Sequence, residues 1–240
     1  FGVNASFDVT KKINVHGYIW DRKDKSALVA DNEKDDIYTL GGLLIVEPLE
    51  GLRSSLEAAW QFGRTRNATG SLHEKRNAFA LQALGDYTFT KVKFSPSIGA
   101  GYTYLSGGGD YNGWNQMYYN QALNPIAYAI FPFTNLSVIN LRASVKPMED
   151  VTLSFNYGNY RLANRVSSFN TAKADSNGNN YVIATGNNKA LGNEFDFGLL
   201  YDYTEDVQIG LTAGWFSTGS AIVRDPRDAT QLMGSMKVTF

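Results

Sequence analysis

Apolar and polar side chains alternate along most of this 240-residue chain, in stretches of about ten residues each. From Glu194 to Tyr203, leucine and aromatic side chains share one face of such a stretch, and carboxylates, a glycine and one leucine share the other. After residues 204–206 the same alternation resumes at Val207 and continues to Trp215. Because successive side chains of a strand point to opposite faces, this pattern predicts two amphipathic strands paired as an antiparallel hairpin.

About eleven strands of this kind can be placed along the chain, and two classes of connection alternate between them. The short connections are residues 10–12, 48–51, 90–91, 147–150 and 204–206. The long ones are rich in Asn, Gly, Ser and Asp and span residues 22–36, 64–72, 106–133, 163–191 and 218–228. Tight turns at one end and long polar loops at the other are typical of outer-membrane barrels. The sequence therefore predicts an all-β fold, an antiparallel transmembrane β-barrel, rather than a soluble β-sandwich.

Aromatic side chains on the apolar face concentrate at the two ends of the predicted strands. Those near the long loops are Trp60, Phe62, Tyr102, Tyr104 and Trp215. Those near the short turns are Tyr87, Phe89, Phe94, Tyr201, Tyr203 and Phe240. Aromatic girdles mark both membrane interfaces of such barrels, so these residues predict a band in contact with the lipid bilayer.

The opposite face of the same strands carries charged and amide side chains. The predicted pore-lining residues are Arg53, Glu57, Arg76, Gln82, Asp86, Arg142, Glu194, Asp196 and Lys237. An isolated charge in a dry protein core costs several kcal/mol, so a soluble sandwich accommodates such a face poorly. A water-filled lumen removes that cost and predicts a channel.

Composition narrows the remaining classes of function. The 22 Lys and Arg residues balance 23 Asp and Glu residues, so no basic excess is present to attract nucleic acid. The absence of Cys excludes disulfides, thiolate metal sites and Cys nucleophiles. His16 and His73 are too few and too far apart in the chain to indicate a zinc site. No cofactor is predicted.

The last segment of the chain, residues 231–240, sets the expected direction of the strands. It alternates again and stops on Phe240, which resembles the C-terminal signal of bacterial outer-membrane proteins. If Phe240 is periplasmic, the short turns lie in the periplasm and the long loops lie outside the cell. The first strand then runs toward the periplasm and begins on the outer side of the membrane. Bacterial single-chain barrels have an even number of strands with both termini in the periplasm, so an upward strand is expected before the first one. We therefore expect residues 1–240 to form one outer-membrane β-barrel domain that lacks N-terminal strands.

Several short motifs occur in an order that resembles the alginate export family of outer-membrane porins. They are QFG at 61–63, GYTYLSG at 101–107 followed by Asp110, NL at 140–141, GNEFD at 192–196 and the ending GSMKVTF at 234–240. The resemblance implies a barrel of about 18 strands, about seven of them before Phe1, and a pore whose arginines select a polyanion. The predicted lumen departs from that pattern, because it mixes arginines with carboxylates. The resemblance therefore carries over the fold and leaves the substrate open.

Two sets of charged residues allow alternative interpretations. Glu194 and Asp196 share one face of a strand, the arrangement from which a glycosidase builds an acid and a base. The alternative, which we favour, is a lumen wall in which they pair with arginines of neighbouring strands. Arg76 and Arg142 either form a constriction that attracts anions or pair structurally with Glu57 or Asp196.

Two long loops carry candidate ligand groups. The loop at 21–36 is rich in Asp and Glu, a composition that can hold calcium, but its spacing is not that of an EF-hand and favours a solvated acidic loop. The loop after residue 106 carries the aromatic residues Tyr111, Trp114, Tyr118 and Tyr119. These either stack on sugar rings, fold into the pore as a constriction, or pack on the exposed surface.

Together these features predict a bacterial outer-membrane porin, a channel for passive diffusion of hydrophilic or anionic solutes, oligosaccharides included. No catalysed reaction is predicted. The alternative is a structural barrel that sheathes or anchors a partner protein of the envelope, and an oligomer is a further possible assembly.

Overall fold

The computed structural model of the chain describes residues 1–24, 35–66, 73–107, 113–116, 124–170, 182–223 and 226–239. Eleven strands of this part form one antiparallel sheet. In sheet order they are β1 (Gly2–Thr10), β2 (Ile13–Asp24), β3 (Asp35–Val46), β4 (Leu52–Arg66), β5 (His73–Thr88), β6 (Ser97–Leu105), β7 (Leu136–Met148), β8 (Val151–Leu162), β11 (Ala190–Asp202), β12 (Val207–Thr218) and β13 (Ala229–Val238). A separate hairpin pairs β9 (Ser168–Asn170) with β10 (Val182–Ala184), and the helix α1 spans Pro125–Ile130. The predicted all-β fold with eleven antiparallel strands is confirmed.

Neighbours in the sheet are neighbours in the sequence, apart from the step from β8 to β11 around the small hairpin. Short turns produce this order, because a tight turn can join two strands only when they run antiparallel and side by side. In the turn before β4, Gly51 has a φ of +84°, a left-handed conformation that glycine adopts without steric cost.

The connection between β5 and β6 is longer than the predicted turn at 90–91. It spans residues 89–96, and the backbone N–H of Phe89 donates to the carbonyl of Pro96 at 2.9 Å. Phe94 and Ser95 have positive φ values of 70° and 41°, so the extended backbone of β6 cannot begin before them. In contrast, β4 extends to Arg66, into the predicted loop at 64–72.

The face of the sheet that carries the apolar and aromatic residues is exposed. Trp60, Tyr102 and Trp215 are 45%, 38% and 46% exposed, and neighbouring rings such as Phe195 and Trp215 stack at 5.6 Å. An apolar surface of this extent marks contact with another apolar phase, here the lipid bilayer. We term this the outer face and the opposite one, which carries Glu194, the inner face. Phe240 lies outside the described residues.

The buried apolar core lies on the inner face, toward the long-loop ends of the strands. Phe131 is almost fully buried, and its ring lies 5.5 Å from that of Phe216 and 6.0 Å from that of Tyr160. Phe131 follows α1, whereas Phe216 and Tyr160 belong to β12 and β8. Part of the inner face is therefore covered by the chain itself.

The main sheet is open, with β1 and β13 as its two edges. These two strands do not pair with each other in the part of the chain that the structure describes. Within the same part, no helix is both long and apolar enough to cross a membrane.

Candidate functional site: a segment docked on the inner face

A segment that follows β6 folds back across the inner face. Its described parts are residues 113–116 and 124–135, which we term the inserted segment, and α1 lies within the second part. The first part bonds to β2, β4 and β5, and the second bonds to or packs on β7, β8, β11 and β12. The described part lies on the inner face, where the constriction alternative places the loop, and the constriction itself stays a prediction. Trp114 is part of it, whereas Tyr111, Tyr118 and Tyr119 lie outside the described residues.

Glu194, on the inner face of β11, holds the N-terminus of α1. Its carboxylate accepts the backbone N–H groups of Ile126 at 2.7 Å and Ala127 at 2.6 Å. The first turn of a helix has N–H groups without intrahelical partners, and these carry partial positive charge. Asn124 at the N-cap makes no capping hydrogen bond with its own side chain. Glu194 therefore caps the helix from a distant strand.

Asp196, two residues further along β11, holds the residue that precedes the helix. Its Oδ2 accepts a hydrogen bond from Nδ2 of Asn124 at 2.6 Å. Oδ1 of Asn124 accepts in turn from Nδ2 of Asn140 and from the hydroxyl of Tyr160, both at 2.8 Å. All these side chains are buried. A buried network with these partners stabilises one position of the segment, because displacing it would leave polar groups unsatisfied.

The predicted carboxylate pair therefore lies on one face, as expected, but beneath the inserted segment. Glu194 is 0% and Asp196 1% exposed, and their partners are amide groups rather than the expected arginines. Sequence reasoning missed Asn124 and the helix after it. The signal was present, since an Asn followed by Pro125 is a common start of a helix.

A second anchor holds residues 113–116 at the other side of the inner face. Gln61 donates from Nε2 to the carbonyl of Asn115 at 2.9 Å, and its Oε1 accepts the N–H of Asn115 at 2.8 Å. Nη1 of Arg22 donates to Oδ1 of Asn115 at 2.7 Å, and Arg76 donates to the carbonyl of Gly113. Arg76, predicted to line the pore, is thus bonded to the segment.

Arg142 and Asp86 form a salt bridge on the inner face. Nη2 of Arg142 donates to both carboxylate oxygens of Asp86 at 2.9 Å. The two residues flank Gly99 of the intervening strand β6, and a Cβ at Gly99 would lie 3.0 Å from Cγ of Asp86. Structural pairing of Arg142 is therefore observed, but the expected partners, Glu57 and Asp196, are wrong.

The other predicted pore-lining residues also lie on the inner face. Arg53 pairs with Glu47 at 2.8 Å, Glu57 accepts the hydroxyl of Tyr18 at 2.6 Å, and Gln82 donates to Thr103 at 3.0 Å. Lys237 is exposed on the edge strand β13. Whether these residues line an open pore stays a prediction.

The acidic loop at 21–36 is described only at its ends. Lys23 lies 3.6 Å from a carboxylate oxygen of Asp21 and 3.9 Å from one of Asp36. The side chains of residues 24–35, on which the calcium hypothesis depends, lie outside the described residues. Among the residues that are described, no cluster of three or more His, Asp or Glu side chains is arranged to hold a metal ion.

A cavity of about 380 Å³ lies between the inserted segment and the inner faces of β1 to β6. Its walls include Tyr18, Trp20, Glu57, Trp114 and Phe133. The segment therefore does not fill the space in front of these strands.

An antiparallel sheet with an exposed apolar face and a charged inner face is typical of outer-membrane β-barrel proteins. The chain is similar in structure to OmpT (folded in vitro), an outer membrane protein of Vibrio cholerae, with a TM-score of 0.53 and 11% sequence identity. The match covers 98% of this chain and 63% of that chain, and it shows the fold. The model of the alginate export family matches residues 1–234, so the chain belongs to the alginate export family. A search of curated proteins gave no match.

Family and fold together confirm three of the predictions from sequence: the alginate export resemblance, the outer-membrane barrel architecture and the location in the bacterial outer membrane. The chain spans about 63% of the length of the OmpT chain.

Proposed function

We propose that the chain forms part of a passive channel through the outer membrane, narrowed by the inserted segment. The observation that carries this proposal is the buried network in which Glu194 and Asp196 hold α1 against the inner face. A segment anchored in this way gives a channel a fixed aperture. Membership in the alginate export family supports a transport role in general. The channel catalyses no reaction, since the carboxylate pair serves as an anchor.

The charges on the inner face support the proposal that small hydrophilic solutes pass through the channel with only mild charge selectivity. Arg142 is paired with Asp86, Arg53 with Glu47, and Arg76 is bonded to the inserted segment. A strict filter for a polyanion needs a ring of cations whose charge is not balanced. Because the described arginines at these positions are engaged, we do not assign alginate as the solute.

The two open edges of the sheet support the proposal that this chain is part of a larger barrel. Within a bilayer, the N–H and C=O groups of an edge strand have to be bonded by another strand. We infer that further strands pair with β1 and β13 and complete the outer-membrane domain to which residues 1–240 belong. The structural alternative, a barrel that holds a partner protein, has less support, because the inserted segment already occupies part of the inner face.

Planar-bilayer recording of the full-length protein tests the channel directly. We expect discrete conductance steps, and liposomes containing the protein should swell in small neutral solutes but not in large ones, because the inserted segment sets the aperture. Liposomes without protein serve as the control. A correctly folded barrel that gives no steps and no swelling, and that co-purifies with an envelope protein, would contradict the channel and support the structural alternative.

A further inference from the structure

The cavity beside the inserted segment has the size and lining of a small-molecule site. At about 380 Å³ it falls within the usual range of about 300–1,000 Å³ for such sites. Most of the surface of its walls is apolar, and the aromatic rings come from β2 and from the inserted segment. These rings belong to Tyr18, Trp20, Trp114 and Phe133.

The described lining of the cavity contains one carboxylate and no ammonium or guanidinium group. Glu57 is its only Asp or Glu, none of its residues is Lys or Arg, and His16 also lies in the wall. The carboxylate of Glu57 accepts the hydroxyl of Tyr18 at 2.6 Å, and a carboxylate can accept several hydrogen bonds. An anion in this cavity would therefore meet a carboxylate and no opposing Lys or Arg.

About half of the described lining residues carry polar side chains, and several of these already make hydrogen bonds. Gln61 bonds to Asn115 through both ends of its amide, and Nε2 of Gln82 donates to Thr103. Because most of the exposed wall surface is apolar, this lining suits a charged group on an apolar body better than a sugar, which carries hydroxyls around its ring.

We propose that the cavity binds a small organic cation, an ammonium group on an apolar or aromatic body. The ammonium pairs with Glu57 and lies against the rings of Tyr18 and Trp20, which attract cations through their faces. The body packs on Trp114 and Phe133. The claim that such a cation is transported rests on the channel function proposed above. The claim that the cavity binds it requires only that the inserted segment is docked.

Tryptophan fluorescence of the full-length protein folded in detergent tests this site, because two tryptophans line it. The probe is 2-phenylethylammonium, and its neutral and anionic analogues are 2-phenylethanol and phenylacetate. We expect saturable binding of the ammonium that is about tenfold tighter than that of the alcohol, the size of one charge-assisted hydrogen bond. Phenylacetate and glucose should not bind.

Two variants distinguish binding in the cavity from attraction of the ammonium by the general charge of the inner face. Glu57→Gln keeps an acceptor for Tyr18 and should bring the ammonium to the affinity of the alcohol. Asp202→Asn removes the same charge from the inner face of β11 outside the cavity, and should leave binding unchanged. Equal loss in both variants, or binding of phenylacetate or glucose as tight as that of the ammonium, would overturn the proposal. Binding of the ammonium without bilayer current would support the cation site and refute the channel. Bilayer current without binding of the ammonium would support the channel and refute the cation site.

Discussion

Replacing Glu194 by glutamine together with Asp196 by asparagine is expected to release the inserted segment and raise the single-channel conductance. The two carboxylates accept three hydrogen bonds from the segment. A hydrogen bond to a charged group contributes about 1.5–3 kcal/mol, and the new amides retain only part of it, because each places an NH2 group near a donor. A loss of about 3 kcal/mol shifts the ratio of docked to undocked segment by about a hundredfold.

Bilayer recordings of the wild type, the double variant and Asp202→Asn check this expectation. Asp202 lies on the same strand and face as the anchor and accepts from Gln208 at 2.7 Å, a bond that asparagine can retain. The double variant should populate a larger conductance level, and the control should match the wild type. Circular dichroism of both variants establishes that the sheet is intact. Wild-type conductance in a folded double variant would show that the segment does not set the aperture.

Replacing Arg142 by glutamate is expected to shift the charge selectivity of the channel toward cations. In the wild type, the charges of Arg142 and Asp86 largely cancel each other. Reversal potentials across a salt gradient should therefore show modest charge selectivity. The variant places two carboxylates side by side and should shift the channel toward cations. Charges about 4 Å apart interact by about 1 kcal/mol in bulk water and by more where the pore narrows. The shift should fade near 1 M salt, where the Debye length is about 3 Å.

The matched control removes both charges of the pair. Arg142→Gln combined with Asp86→Asn keeps the local net charge at zero, and should leave the reversal potential close to that of the wild type. Near-ideal anion selectivity in the wild type that survives Arg142→Glu would show that polyanion export is the function and that other residues form the filter.

The sequence predicts the faces of the strands well because a strand has only two. Trp60 and Trp215 on the outer face, and Arg142 and Glu194 on the inner face, all lie where alternation places them. A shift of one residue would have moved every side chain to the wrong face, so the pattern determines the face strongly. It contains no information on depth along the strand or on partners across strands.

Contacts that depend on register or on the path of a loop could not be predicted. The bridge between Arg142 and Asp86 forms because three strands align those residues with Gly99, which leaves room between them. The bond from Asn124 to Asp196 joins residues 72 positions apart. Loop residues have no period that would place them on a face, so alternation left both a constriction and an exposed loop open for the segment after residue 106.

Disulfide trapping tests the docked segment most directly, because the chain contains no cysteine of its own. A Cβ built on Gly214, on the inner face of β12, lies 3.4 Å from Cγ1 of Ile126 in α1, close to where Sγ of a cysteine would lie. It also lies 2.7 Å from Oδ1 of Asp196, so the end of that side chain has to shift to admit it. Gly210 lies on the same face, about 13 Å further along the strand, and provides a control.

In isolated outer membranes treated with a mild oxidant, Ile126→Cys with Gly214→Cys should form a disulfide nearly completely, as measured by thiol titration and by mass spectrometry of the linked peptides. Ile126→Cys with Gly210→Cys should remain reduced. Absence of the first disulfide, or equal oxidation of both pairs, would contradict the docking of α1 on the inner face.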